Sequence, residues 1–236
     1  MVETYHFQKA AYKTKVNFAK EFISSNLDMS IEELITKKEW DEDISLCMHI
    51  FNDEITNEDE EYVKSLLETA YHRRDNRSSL EYACDLMIGW VLEDCIVELL
   101  NMEGYETILN SADRDRKILT KPKADSDLKI MVDGEEILIE LVNDFKGYWK
   151  RNNKVDLRDN KYANLKDENS LLLGIDYKYS EFFILDVSKA EARYIPFHYP
   201  FRKPAYSLKL DKNDFYSLDD ASNALSNVLE NYSKNL

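Results

Sequence analysis

Two acidic residues, Asp127 and Glu140, flank an Asp133-Gly134 pair at equal distances along the chain. An Asp-Gly pair between two runs of alternating apolar residues is a strong signal for a two-residue hairpin turn. In a hairpin with that turn, Asp127 and Glu140 lie directly opposite each other, with Cβ atoms about 5 Å apart. Two like charges at this separation repel each other, and a bound divalent cation relieves the repulsion. Mg²⁺ prefers such oxygen ligands, so the spacing predicts a Mg²⁺ site, although two hydrated acids at an exposed strand end fit the same spacing.

The same register predicts which face of the hairpin is buried. Alternate residues of the runs 126–132 and 136–142 are apolar, so the face that they share must pack on a core. The opposite face carries Asp127, Lys129, Glu140 and Val142. Lys129 lies one diagonal step from Glu140, and Lys146 follows soon after the second strand. Either lysine could complete a catalytic centre, and each could equally be an ordinary surface lysine.

Helices and strands around the hairpin follow from the periods of their apolar residues. Helices are predicted at 7–25, 30–38, 58–74 and 79–102, followed by a strand at 105–109. After the hairpin we expect a helix at 155–168, strands at 171–177 and 182–187, an extended stretch near 194–199, and a closing helix at 218–233. This order predicts an α/β (α+β) fold with a mixed β-sheet flanked by helices, preceded by an N-terminal helical region.

Charge is distributed unevenly over the 236 residues. The formal net charge is −15, and residues 1–110 carry 24 of the 46 acids but only 10 of the 31 bases. We therefore divide the chain into an acidic helical region at 1–78 and a core at 79–236. Because local potential decides phosphate binding, the basic stretches of the core keep a nucleic-acid partner possible despite the negative total.

Composition and motifs exclude several other classes of protein. Three cysteines without metal-ligand spacing predict neither a zinc site nor a disulfide framework. The chain has no apolar run approaching roughly 18 residues, so we expect no membrane span. It has no glycine-rich phosphate loop, so we expect no nucleotide cofactor. Its first residues lack the pattern of a secretory signal, which favours a cytoplasmic location.

Asp127 and Glu140 on a hairpin, preceded by a helix and a strand, resemble the core of the PD-(D/E)xK nuclease superfamily. In several branches of that superfamily the preceding helix carries another Glu, and Glu93 stands at the matching distance before Gly104-Tyr105. Helical-wheel geometry alone favours Glu93 no more than Asp94, which is the alternative. The resemblance covers roughly residues 79–190, and the size and helical front are most similar to type II restriction endonucleases. It departs at Val142, where the superfamily usually has lysine.

The resemblance implies a restriction-endonuclease-like fold and a Mg²⁺-dependent endonuclease that cuts double-stranded DNA at a specific site. It implies Asp127, Glu140 and Glu93 as metal ligands, with Lys129 or Lys146 as the catalytic lysine. Cleavage of both strands at a palindromic site needs a homodimer, for which the acidic region 1–78 is a candidate interface or DNA-embracing subdomain. Two alternatives stay open: a DNA-binding relative that does not cut, and an acidic protein-interaction module.

Basic residues near the hairpin are candidate phosphate contacts, because Lys and Arg supply most of the affinity for nucleic acid. They are Arg116, Lys123, Lys150, Arg151, Lys154, Arg158, Lys161, Arg202 and Lys203. The stretch 193–204 also combines bases and aromatic residues with three prolines, which stiffen the backbone. Such a stretch could read bases outside the core, although the same aromatic side chains could instead fill a core.

Overall fold

The computed structural model describes residues 2–52, 55–68, 77–111, 115–118 and 125–234. Packing within the chain separates two compact units. The first unit comprises Met1–Ile96 with Ser111–Lys123, and the second comprises Val97–Asn110 with Ala124–Leu236. The division falls inside a long helix, so residues 79–96 pack with the N-terminal helices rather than with the sheet.

The described part of the first unit is helical. Its elements are α1 (Val2–Leu27), α2 (Ile31–Lys37), α3 (Glu42–Asn52), α4 (Asn57–Leu66) and most of α5 (Ser79–Met102). Capping boxes fix two of the starts: Ser30 caps α2 with Glu33, and Thr56 caps α4 with Asp59. Helix α3 was not predicted, and the predicted helix 58–74 ends at 66, with 69–76 outside the described residues.

Helix α5 is buried, as its apolar composition predicts. Side chains on every side of the helix are inaccessible, from Ala83 through Val91 to Leu100, and the thiols of Cys84 and Cys95 are buried among them. A helix that is apolar all round is stable only inside protein, and the burial of α5 on every side agrees with that. None of the described helices is both long enough and apolar enough to span a membrane.

Among the described residues, the larger sheet of the second unit has six strands in the order β1-β2-β3-β5-β6-β9. Their bounds are β1 (Glu106–Leu109), β2 (Leu128–Val132), β3 (Glu135–Asp144), β5 (Leu171–Asp176), β6 (Glu181–Asp186) and β9 (Phe215–Ser217). Strands β3 and β5 run parallel, and the other neighbours run antiparallel. The sheet is therefore mixed, as predicted, and helices flank it.

The smaller sheet, within the described residues, has three antiparallel strands in the order β4-β8-β7. They are β4 (Lys154–Arg158), β7 (Ala192–His198) and β8 (Lys203–Lys209). The helices of this unit are α6 (Tyr148–Asn152), α7 (Asp159–Asp167) and α8 (Ala221–Ser233). The predicted helix 155–168 is wrong in its first part, because buried Val155 and Leu157 alternate with polar neighbours, which is the period of a strand.

One apolar cluster joins the two sheets of the second unit through α7. Tyr162 and Leu165 of α7 pack with Leu157 of β4 and with Leu172 and Phe183 of the larger sheet. Within the larger sheet, Gly174 of β5 pairs with Phe183 of β6, and a Cβ added at Gly174 would lie 2.2 Å from the Phe183 ring, so the close packing requires glycine there. The apolar cluster holds α7 across the face of the larger sheet.

Candidate active site

The hairpin formed by β2 and β3 has the predicted register. Leu128 pairs with Ile139 and Val132 pairs with Glu135, leaving Asp133 and Gly134 as the turn. Both turn residues have positive φ, 53° and 87°, the geometry that a two-residue hairpin loop of this type requires. The predicted pairing is therefore confirmed, and it fixes which side chains share each face.

Asp127 lies directly before β2, and the register, continued by one residue, sets it opposite Glu140. Its Oδ2 accepts a hydrogen bond from the backbone N–H of Leu141 at 2.7 Å. Its backbone oxygen accepts a hydrogen bond from the N–H of Asn110 at 2.8 Å, which extends the pairing of β1 and β2. Both bonds hold the carboxylate beside the strand that carries Glu140.

Glu140 is 5% exposed, and its carboxylate forms an ion pair with Lys161. The lysine belongs to α7, and its Nζ donates to Oε1 of Glu140. Lys161 is one of the predicted DNA contacts, whereas the sequence predicts that the lysine of the centre comes from the hairpin or just after it. In the structure the lysine at Glu140 is instead Lys161, and Asp127 lies opposite Glu140 on the neighbouring strand.

The position of Lys161 follows from the packing of α7. The helix begins directly after β4, and buried Tyr162 and Leu165 dock it against both sheets. Lys161 precedes the first of these buried residues, so its stem leaves the helix beside the sheet. One sequence signal could have indicated it: a lysine adjacent to the first apolar residue of the helix that precedes β5.

Neither lysine predicted for the centre contacts Glu140. Lys129 turns the other way along the hairpin, and its Nζ lies 3.0 Å from Oε2 of Glu136. The side chain of Lys146 is exposed, and its backbone N–H donates to Oδ1 of Asp144. Their predicted catalytic roles stay predictions.

A second pair of carboxylates, which sequence analysis missed, lies at the end of the parallel strands. Asp144 and Asp176 are register partners on β3 and β5. Asp144 accepts hydrogen bonds from the N–H groups of Lys146 and Trp149, and Asp176 accepts them from the turn that follows β5. Burial and the nearby charge of Asp144 raise the pKa of Asp176, whose Oδ2 is buried without a hydrogen-bond partner.

In the first unit, Glu93 and Asp94 both contact one cation, Arg116. The guanidinium donates to Oε2 of Glu93 and to Oδ1 of Asp94, each at 2.7 Å, and to the backbone oxygen of Trp90. Asp94 also accepts a hydrogen bond from Nε1 of Trp40 at 2.7 Å. Burial lowers the pKa of Arg116, but the charges of Asp94 and Glu93 outweigh burial and raise it. Glu93 therefore already has a cationic partner, and its role as a metal ligand stays a prediction.

The candidate phosphate contacts lie in different settings. Arg116 is 2% exposed, so it stabilises the interior of the first unit rather than lying on its surface. Lys150 pairs with Glu181 and Lys154 with Asp156. The residues with exposed side chains are Arg151, Arg158, Arg202 and Lys203, and Lys123 lies outside the described residues.

The donor set of the hairpin fits Mg²⁺ in chemistry. Two carboxylates are a usual protein contribution to a Mg²⁺ site, which waters and substrate phosphates then complete. Within the residues that the structure describes, no group of three or more His, Cys, Asp or Glu side chains could hold a metal ion by itself. A scan of protein-family models finds no match to this chain, and a search of curated proteins finds none either.

Proposed function

We propose that this protein is a Mg²⁺-dependent endonuclease that hydrolyses phosphodiester bonds in DNA, of the type II restriction kind. The observation that carries the proposal is the set of three side chains at the hairpin. Asp127 and Glu140 lie on opposite strands, and Lys161 supplies an ammonium group at Glu140. In this proposal, the lysine that the resemblance to the PD-(D/E)xK superfamily calls for is Lys161 of α7 instead of a residue of β3.

The order of elements supports the same proposal. Helix α5 is followed by β1, β2 and β3, and then by α7 and β5, with α6 and β4 inserted after β3. Without that insertion, the order is the α-β-β-β-α-β core of the superfamily. The acids also match, because one precedes the second strand and the other lies on the third.

The three side chains would have two different roles, metal binding and stabilisation of negative charge. Asp127 and Glu140 would hold the ion, and a bound Mg²⁺ supplies Lewis acidity toward a phosphate oxygen. The side chain of Lys161 is 33% exposed, so its ammonium group can serve Glu140 and a bound phosphate from the same position. A cation there would stabilise the negative charge that develops on phosphorus during hydrolysis.

The experiment is incubation of plasmid and phage DNA with the purified protein, in Mg²⁺ and separately in EDTA. We expect discrete fragments in Mg²⁺ and intact DNA in EDTA. Glu140→Gln should lower the rate by about 100-fold or more, since it removes a charge from the centre. Glu136→Gln is the matched control, because Glu136 lies on the same strand and the same face but pairs with Lys129. Intact DNA under all conditions would contradict the proposal.

A second pair of variants identifies the lysine. Lys161→Gln should abolish cleavage, whereas Lys129→Gln should leave it nearly unchanged. The opposite result would restore Lys129 as the lysine of the centre. Cutting of both strands at a palindromic site further requires a homodimer, which sedimentation with and without DNA measures.

A DNA-binding relative that does not cut is the second candidate. Val142, at the usual lysine position, packs against the apolar cluster of Trp149 and Phe183. That packing leaves an apolar side chain where the resemblance expects a catalytic one. DNA that is retarded in a gel by wild-type protein, and stays intact in Mg²⁺ and Mn²⁺, would favour this candidate.

A further inference from the structure

The hairpin of β7 and β8, residues 192–209, exposes three aromatic side chains. Tyr194 is 50% exposed, Phe197 61% and Tyr199 84%. The sequence alone leaves open whether the aromatic residues of this stretch fill a core, and these three do not. Large apolar side chains exposed together usually mark a contact surface.

The charge of this hairpin is opposite to that of the protein. From Ala192 to Leu210 the sequence has four bases and no acid, within a chain of net charge −15. Arg193, Arg202 and Lys203 are exposed on it. Basic side chains can contact the phosphates of a nucleic-acid strand, and aromatic rings can stack on its flat nucleobases. This hairpin has both kinds of side chain.

A β-bulge anchors the tip of the hairpin. Ile195 pairs with Ala205 and His198 with Lys203, so β7 has one more residue than β8 over this interval. The extra residue turns His198 toward the face of Asp156, and its Nε2 lies 3.2 Å from Oδ2 of that carboxylate. The Phe201 ring packs on His198, with centroids 4.3 Å apart. These contacts hold the turn that carries Tyr199 against β4.

The edge strand is unsuited to pairing with a strand of another protein. Pro196 lies exposed within β7, and proline cannot donate a ladder hydrogen bond. The bulge lies at the same place, between Ile195 and His198, and distorts this part of the edge further. A partner would therefore contact the side chains of β7 rather than form backbone hydrogen bonds with it.

A row of aromatic rings connects the hairpin to α7. Tyr194 lies 5.2 Å from Tyr206 between centroids, and Tyr206 stacks on Tyr162 at 4.1 Å. Tyr162 is the neighbour of Lys161, which contacts Glu140. The exposed end of the row is thus joined through packed side chains to the helix that carries the lysine of the candidate centre.

We infer that the β7–β8 hairpin binds unpaired nucleotides, stacking their bases on Phe197 and Tyr199 while Arg202 and Lys203 contact the phosphates. This inference rests on the proposed function and makes it more specific: the double-stranded DNA that is cut would carry a locally opened segment, with unstacked bases, where it meets the hairpin. An intact duplex exposes its phosphates but hides the faces of its bases. It could contact the basic residues of the hairpin but could not stack on its aromatic rings.

The test measures binding in EDTA, where no cleavage occurs. Fluorescence anisotropy of a labelled DNA single strand is compared with the duplex of the same sequence, and we expect tighter binding of the single strand. Phe197→Ser with Tyr199→Ser should weaken it by about ten-fold or more, since each stacked base contributes on that scale. Ile108→Ser is the control, because Ile108 is an exposed apolar residue on an edge strand of the larger sheet.

A second readout separates stacking from a change of fold. A single strand with 2-aminopurine should lose fluorescence on binding to wild-type protein, because stacking quenches it, and should keep it with the aromatic variant. Arg202→Asn with Lys203→Gln should instead make the affinity less dependent on salt. The slope of the logarithm of the association constant against the logarithm of the salt concentration should become less steep by about 0.7 per lost phosphate contact. Asn is chosen at Arg202 because φ there is +51°.

The outcomes also separate this inference from the proposed function. Mg²⁺-dependent cleavage with unchanged single-strand binding in the aromatic variant would overturn the inference and leave the nuclease intact. Single-strand binding that depends on the hairpin, without cleavage in Mg²⁺, would support the inference and overturn the nuclease. Equal affinity for single strand and duplex would also overturn the inference.

Discussion

Each unit of this protein has two neighbouring carboxylates and a cation that contacts at least one of them, and the two arrangements differ in how exposed the cation is. In the first unit, the guanidinium of Arg116 bridges Glu93 and Asp94 and is 2% exposed. In the second unit, Lys161 contacts Glu140 and its side chain is 33% exposed. The first arrangement is closed around its cation, whereas the second leaves its cation within reach of a solute.

The choice of cation matches this difference. Arginine presents a planar fork that bonds two carboxylates at once and is always charged, so it suits a buried site. Lysine is a compact charge on a flexible stem and can exchange one partner for another. Paired acids in a sequence therefore do not by themselves indicate a reactive site. A buried cation beside them stabilises the fold, whereas an exposed cation can also contact a bound substrate.

The largest expected effect is on the closed cluster. Arg116→Met leaves two buried carboxylates without their cation, and we expect a loss of about 3–5 kcal/mol in the free energy of unfolding. Urea denaturation measures it by tryptophan fluorescence in a Trp149→Phe background. The two remaining tryptophans, Trp40 and Trp90, lie in the first unit, so their signal reports on that unit.

Lys64→Met is the matched control for that loss. Lys64 also pairs with two acids, Glu60 and Glu61, but on the surface of α4. Exposed ion pairs contribute little to stability, so its denaturation midpoint should stay where it is. Equal midpoints for the Arg116 and Lys64 variants would refute the distinction between closed and open clusters.

A smaller effect is expected at the open cluster. Lys161→Met should lower the free energy of unfolding by about 1–2 kcal/mol, less than Arg116→Met, because Lys161 is partly solvated although its partner Glu140 is buried. The second unit is followed through the signal of Trp149 in a protein with Trp40→Phe and Trp90→Phe. A loss as large as that of Arg116→Met would show that Lys161 is a buried structural cation.

The smallest effect concerns Asp144 and Asp176, two neighbouring carboxylates that form no ion pair with a cation of the residues that the structure describes. The pKa of Asp176 is raised in the folded protein above the unfolded value of about 3.9, so ionisation costs native-state free energy as pH rises through the folded value. Asp176→Asn removes this cost while keeping an oxygen for the turn. We expect a gain of less than about 1 kcal/mol at pH 7 that disappears near pH 3.

Urea denaturation at both pH values measures that gain. Asp186→Asn is the contrast, since hydrogen bonds from Ser188 and Lys189 outweigh burial and lower the pKa of Asp186. That variant should lose stability at neutral pH, where the native carboxylate is favoured. A gain at both pH values for Asp176→Asn would mean that packing rather than charge explains the result.

The sequence was sufficient for the hairpin because its information is local. The Asp-Gly turn sets the register, and the side-chain period of two then fixes the face of every residue between Asp127 and Glu140. The buried helix α5 was likewise predictable from its own apolar residues. In both elements, the residues that decide the structure are neighbours in the chain.

The cations were not predictable because their partners are distant in the chain. Arg116 lies 22 residues from Asp94, in a stretch whose basic composition resembles a surface loop. Lys161 lies 21 residues from Glu140, and its position depends on how Tyr162 and Leu165 dock α7. A strand of five residues, β4, also escaped prediction, because its alternation was too short to compete with the helix beside it.

The discontinuous first unit has a consequence for synthesis of the protein. Its cation comes from residue 116, and the ribosome translates β1, a strand of the second unit, before reaching that residue. The N-terminal helices therefore leave the ribosome with Glu93 and Asp94 still lacking their partner. A fragment that stops at Ile96 would carry two uncompensated acids in its interior, so the halves of this protein are better expressed as one polypeptide than as separate pieces.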